Sequence, residues 1–239
     1  MMNQNVRIGQ HAVIGENVTF GEDVVIGHHV VIYDGTIIGN QVVIHDHAII
    51  GKKPMKAHNS STTTNHVYLL PAIIADRCII GSSSVIYANA FMENDVFVAD
   101  LATIRERVVI GEKTIIGRGV AVENDCTIGA NCKLETNCYI CAFSTLEDDV
   151  FVAPCVVTTN DNYLGRTKER FGKFKGVTIK KGGRIGANAT ILPGKIIEEE
   201  GVVAAGSIVT KDVKSKELVA GSPAHKIREV PPEQWLENQ

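Results

Sequence analysis

Between residues 87 and 160 a small set of polar and ionisable side chains recurs at a spacing of eighteen. Arg105, Glu123, Cys141 and Thr159 form one series, and Glu106, Asn124, Ala142 and Asn160 form the series beside it. A further set holds Glu135, Thr136 and Asn137. Pro154 follows Thr136, and Ala187 and Ala205 extend the same line if the insertion between them counts as one unit. Cys155 and Asn188 stand beside it. The chemistry within reach of such groups is proton handling and carbonyl polarisation. A carboxylate can hold an amine and later take its proton. Unpaired backbone N–H groups at a turn can donate to an amide carbonyl or to a developing oxyanion. These spacings matter only if the fold stacks residues eighteen apart.

The chain supplies such a fold. From Ile8 it reads IGQHAV, IGENVT, FGEDVV, IGHHVV, IYDGTI, IGNQVV and IHDHAI, seven six-residue units in succession. A second run from Ile74 to Val157 adds 14 units, and a third from Ile179 to about Lys214 adds six, for 27 in all. Each begins with a large aliphatic residue, often followed by Gly, with a small or β-branched residue fifth. That pattern predicts a short strand, a turn and another short strand, with the first position pointing inward. Gly is expected in the turn because a positive φ costs it little. Three units close a triangular coil of eighteen residues, and successive coils stack as parallel strands. Nine coils at the usual interstrand spacing make a prism roughly 45 Å tall. A period of six sustains no helical face, and recurrent Gly excludes a simple alternating strand.

Two polar stretches interrupt the repeat, residues 52–71 and 160–176. Counting units in threes places both on the same edge of the prism, and loops on a rigid scaffold commonly carry function. Residues 1–230 are expected to form the prism domain. Pro231 and Pro232 open a short helix over 232–238, a cap spanning 231–239 that hides sheet edges. Apolar residues make up 44 % and aromatics only 5 %, so the core must be aliphatic. A net charge of −3 points to neither nucleic acid nor a membrane surface as partner. No apolar run approaches a bilayer span and the N-terminus lacks a secretory leader, so a cytoplasmic protein is expected. Cys78, Cys126, Cys132 and Cys138 share the repeat register and read as small buried core residues, not as a disulfide framework.

The stretch from Val122 to Tyr163, with its LEDDVF…TND segment from Leu146 to Asp161, resembles the N-acyltransferases that modify nucleotide-linked amino sugars of bacterial surface polysaccharides. The VAGSPAHKI ending is similar to that of hexapeptide-repeat acyltransferases in general. The resemblance implies an all-β fold, a left-handed parallel β-helix, assembled as a homotrimer with active sites between prisms. It also implies acyl-CoA extended along one edge and a dTDP- or UDP-linked amino sugar as acceptor, with no metal required. By this resemblance Asn137 stands near the acceptor amine and Asn160 lines the acceptor pocket. The backbone amides of Ala187 and Ala205 bind pantetheine. Lys211, Lys226 and Arg228 are candidates for the coenzyme phosphates. Glu123 and Glu135 are further candidates for the catalytic set, with Arg105, Glu106, Asn124 and Asp161 lining the substrate. Where some relatives have His in the acceptor pocket, this chain has Glu123 or Asn124.

None of the eight histidines lies between residues 67 and 224. O-acyltransferases on this fold generally use a turn His as base, because a sugar hydroxyl needs help losing its proton. A sugar amine needs only to be neutral, so the missing His favours N-transfer. His58 and His66 in the first insertion leave O-transfer to a sugar hydroxyl as an alternative. A second alternative is a trimeric zinc carbonic-anhydrase-like protein, because His29 and His47 are eighteen apart and should stack about 5 Å from each other.

Overall fold

The computed structural model describes residues 5–60 and 69–239. Nearly every six-residue unit contributes a two-residue strand whose first residue faces out and second faces in. Val109 is exposed while Ile110 is fully buried, and the same alternation holds at Phe97 and Val98. The strands form three sheets of 12, 10 and 9 members, the three faces of a prism. Pairing between coils is parallel at a register of eighteen: Ile79 lies against Phe97, Thr103 against Ala121 and Val109 against Thr127. The inward residues are almost all Ile, Val, Leu or Met, so the interior is one continuous aliphatic column.

The role expected for Gly is corrected. Where Gly follows a strand it is required by close approach, because a Cβ on Gly111 would lie 2.6 Å from the backbone of Gly129 and Ala130 in the next coil. The positive φ falls two residues later and is usually taken by a residue other than Gly, such as Lys113, Asn131 or Asp149. Asn and Asp tolerate this region better than most residues do. Between those two positions the turn N–H often donates to an Asp or Asn one coil on. Ser82 N–H donates to Asp100 Oδ1 (2.7 Å) and Ala130 N–H to Asp148 Oδ1 (2.9 Å).

Both insertions leave from the second face, after Ile49–Lys52 and Val157–Thr158. Both rejoin at the third face, at Ile73–Ile74 and Thr178–Ile179. They therefore share one edge, as unit counting requires; we call it the loop edge. The edge between the first and second faces carries Ala187 and Ala205, and we call it the alanine edge.

At the C-terminus the expected capping helix is corrected. Glu217–Gly221 and Ala224–Glu229 form an antiparallel hairpin that extends the first face beyond Val202–Val203. Residues 232–238 make two single 3-10 turns, Pro232–Gln234 and Leu236–Asn238, broken by an extended Trp235. Seven residues are too few to nucleate an independent α-helix. Tertiary anchors decide the path instead. The Trp235 indole donates to Val230 O (3.1 Å) under the Lys216 ammonium, and Leu236 N–H donates to Glu200.

Cys78, Cys126, Cys132, Cys138 and Cys141 are buried and free, as the register implies for the first four, and Cys155 is exposed. Burial pushes the Cys78 and Cys132 thiols up to about 11 and those of Cys126 and Cys138 to about 12. Thiolates are the reactive species. Iodoacetamide at pH 8 should therefore label Cys155 rapidly in the native protein and leave the five buried cysteines untouched until the chain unfolds, as peptide mass mapping would read out.

Candidate active site

The loop edge collects most of the ionisable groups singled out in the sequence. Lys52, Tyr87, Arg105 and Glu123 stand in successive coils. The Arg105 guanidinium lies 4.9 Å from the Tyr87 ring centre, and Lys52 Nζ lies 5.5 Å from the same centre. Arg105 also binds Glu106 through two bonds (2.9 and 3.2 Å) and Glu123 through one (3.2 Å). Glu106 is 1 % exposed, so Arg105 is the counter-ion that makes its burial tolerable. Arg107 forms a two-pronged pair with Asp125 (2.5 and 2.8 Å), a partnership the sequence reading did not single out although the residues are eighteen apart.

Glu123 is 26 % exposed and shares its cation with Glu106. Burial raises the Glu123 pKa above the usual carboxylate value; Arg105 opposes that rise and Glu106 adds to it. Asn124 is fully buried beside it. Its Nδ2 donates to Asp125 Oδ2 (2.6 Å), and its Oδ1 has no hydrogen-bond partner among the described residues. Two coils further, Asn160 Nδ2 reaches Ala142 O at 3.4 Å where the second insertion begins.

The structure separates glutamates that look alike in sequence. Glu93 and Glu147 also occupy the position after a strand, but turn amides claim them. Glu112 N–H donates to Glu93 (3.1 Å), and Lys181 N–H and Lys180 Nζ donate to Glu147 (3.0 and 2.8 Å). At Glu135 the equivalent residue one coil on is Pro154, which has no N–H to give. Glu123 and Glu135 thus remain outside the turn-building pattern.

Glu135 and Asn137 lie on the alanine edge with Ala187 and Ala205, away from Glu123; one chain does not unite the two groups. Asn137 takes the positive φ of its turn (59°), and its Oδ1 packs where a Cβ on Gly119 would lie 2.4 Å away. Along this edge the carbonyls stack in order: Cys155 N–H donates to Thr136 O, Asn188 N–H to Pro154 O and Gly206 N–H to Ala187 O. The residue one coil beyond Ala187 is Ala205, which has no side-chain acceptor for the Ala187 N–H. Two other expectations meet competing partners. Asp161 accepts from Tyr163 and Gly165 N–H (2.8 and 3.0 Å) and pairs with Arg170 (3.2 Å), so its carboxylate builds the second loop. Lys226 is paired with Glu217 (3.1 Å) and Glu229, whereas Lys211 is exposed.

His11, His29 and His47 do stack, with ring centres 4.9 and 5.0 Å apart. Parallel rings do not converge their nitrogens on one ion, and no three-ligand His, Cys, Asp or Glu cluster occurs among the described residues. His66 lies outside the described residues. No helix among the described residues is long and apolar enough to cross a membrane.

The family model described as the hexapeptide repeat of succinyl-transferase matches residues 102–142 and 176–211. A dTDP-3-amino-3,6-dideoxy-alpha-D-galactopyranose 3-N-acetyltransferase of Aneurinibacillus thermoaerophilus is 46 % identical over 56 residues, covering 23 % of this chain and 28 % of that protein. The galactoside O-acetyltransferase of Escherichia coli K12 is 34 % identical over 89 residues, 36 % of this chain and 44 % of that one. The chain thus spans less than half the length of either relative. Among solved structures, LpxA of Acinetobacter baumannii superposes with a TM-score of 0.55 at 17 % identity, over 94 % of this chain and 72 % of that one. That likeness fixes the left-handed sense of the coil.

If Asp161 organises the second loop, Asp161→Ala should loosen it without affecting the prism. Limited trypsinolysis should then cut within Arg166–Lys173 several-fold faster than in the wild type, with an unchanged thermal midpoint.

Proposed function

We propose that this chain, a left-handed β-helix of six-residue repeats, transfers an acetyl or short acyl group from acyl-CoA to the amine of a nucleotide-linked amino sugar. The observation that carries this reading is Glu123. It is a partly exposed carboxylate, raised by burial, in a column that contains no histidine and stands on the edge from which both insertions emerge. Partial matches to an amino-sugar N-acetyltransferase and to a galactoside O-acetyltransferase support acyl transfer as the reaction class.

In the proposed reaction the neutral sugar amine attacks the thioester carbonyl. Glu123 holds the amine and takes the proton it sheds, and the thiolate of coenzyme A leaves. Arg105 keeps Glu123 oriented while Glu106 limits how much of that positive charge reaches it. Asn160 lines the acceptor side, whereas Asn124, expected there from the sequence, is fully buried behind Glu123. On the alanine edge the Ala187 and Ala205 amides are placed for the pantetheine carbonyls, Asn137 and Glu135 flank the reacting centre, and exposed Lys211 is available to phosphate. Because Glu123 and Asn137 occupy different edges, the reading requires a neighbouring prism, and a homotrimer supplies one at each edge. A cytoplasmic setting follows from the donor.

Glu123→Gln tests this directly. A buried group with a raised folded pKa stabilises the fold only while protonated and costs stability once pH rises through that pKa. The Gln variant should therefore melt no lower than wild type at pH 7, while its kcat falls about 100-fold, within the usual range for losing a proton acceptor. In wild type, kcat/KM should fall toward acid with a limiting logarithmic slope near two, as both amine and Glu123 protonate. In the variant that slope should fall to about one. Asn137→Ala should also lower turnover with its assembly state unchanged by light scattering. Activity on sugar hydroxyls alone, with amino sugars ignored, would overturn the N-acyl reading.

A further inference from the structure

Two observations outside the proposed reaction centre converge at the root of the first insertion. The strand Ile49–Lys52 carries a bulge where it pairs with Val85–Tyr87, so that Tyr87 is opposite Lys52 and not opposite Gly51. Gly51 absorbs the extra residue at φ +80°, and any Cβ there would meet Thr36 Oγ1 at 2.7 Å. The bulge shifts Lys52 into the column above Tyr87 and Arg105. Bulges commonly re-aim a side chain in this way next to a site. Directly beside it is a groove of about 260 Å³ lined by Tyr33, Asp34, Lys53, Leu70, Pro71 and Ala88, among others. Tyr33 and Leu70 are 39 % and 56 % exposed, an apolar wall left open to solvent.

The charge balance along the column is uneven. Arg105 is tied to Glu106 and Glu123. Lys52 and Lys53 have no carboxylate partner among the described residues, and Lys52 contacts only the Tyr87 ring face among charged or aromatic groups. Asp34 spends Oδ1 on the Glu16 N–H (2.9 Å), leaving Oδ2 for another donor. Lys52 stands three coils from Glu123, roughly 14 Å along the prism. A sugar and its diphosphate, with a hydrogen bond at either end, cover a distance of that order, and the nucleoside then extends beyond Lys52 into the groove.

We propose that this groove is the nucleoside diphosphate subsite: Lys52 and Lys53 bind the diphosphate, Tyr33 and Leu70 flank the base, and Asp34 accepts a base N–H. The assignment rests on the nucleotide-linked acceptor proposed above, and it gives the first insertion a task in positioning that acceptor. Two free ammonium groups suit a diphosphate, and an open aromatic wall suits a base.

The test is calorimetric titration of the full chain with dTDP, UDP and GDP, each without acyl donor. At least one should bind wild type, and the double variant Lys52→Ala/Lys53→Ala should bind it at least tenfold more weakly with an unchanged melting temperature. Tyr33→Ala, on the apolar wall, should weaken the same nucleotide. Failure of all three nucleotides to bind wild type, or undiminished binding by both variants, overturns the subsite. Nucleotide binding through these lysines with no acylation of any amino sugar would instead sink the acyltransferase reading and leave the subsite standing. Acylation with an unchanged acceptor KM in both variants would do the reverse.

Discussion

Away from the two insertions, the hydrogen bonds from the first residue of a strand and from the residue that follows the strand to carbonyls seventeen residues ahead are the constraint from which the rest of the molecule follows. Val109 N–H donates to Cys126 O and Gly111 N–H to Ile128 O at 3.0 and 2.8 Å, and the pattern repeats up the prism. It fixes the eighteen-residue register, and the register in turn puts Arg105 beneath Tyr87 and Glu123 beneath Arg105. It also determines where side chains are affordable. Each turn must come within van der Waals contact of the next, so the residue after a strand is Gly unless its side chain can point outward or serve the coil below. The polar departures from Gly include Glu93 and Glu147, which accept turn amides, and Arg105 and Glu123, which bind each other.

Much of this was legible in the sequence because its periodicity is a direct image of the stacking. The parallel β-helix, the aliphatic interior, the columns at eighteen and the shared edge of the two insertions all follow from counting. What counting misread was the reason for Gly. Positive φ and close approach both favour Gly, and only coordinates show that they fall two residues apart, at Gly111 and Lys113 for example. The hairpin of Glu217–Glu229 was missed because it is antiparallel and carries no six-residue period. The predicted final helix gave way to two 3-10 turns because Trp235 and Leu236 are each held by a contact to a distant part of the chain.

The candidate site was legible in position but not in partnership. Glu93, Glu123, Glu135 and Glu147 are equivalent in the repeat. Two of them serve turn amides, whereas Glu123 shares an arginine with a buried carboxylate. Asp161 and Lys226 matched the expected site by type and place, yet their charges are spent within the chain, on the second loop and the terminal hairpin respectively. Lys52 escaped attention for the opposite reason. A single inserted Gly shifts it by one position, and strict counting assigns that column position to Gly51.

The two edges make separate demands on one set of coils. On the loop edge, charged side chains replace Gly and build the network of Arg105, Glu106 and Glu123. On the alanine edge, small residues replace the Asp and Asn acceptors that elsewhere take the turn N–H, as the pair Ala187 and Ala205 shows against Ala130 and Asp148. The first substitution concentrates ionisable groups; the second leaves backbone donors without a side-chain acceptor. An acyl transfer needs both, a proton acceptor for the amine and donors for the acyl carrier. A rigid triangular prism cannot fold one edge onto another, so the acyl transfer proposed above would be completed where the loop edge of one copy faces the alanine edge of the next.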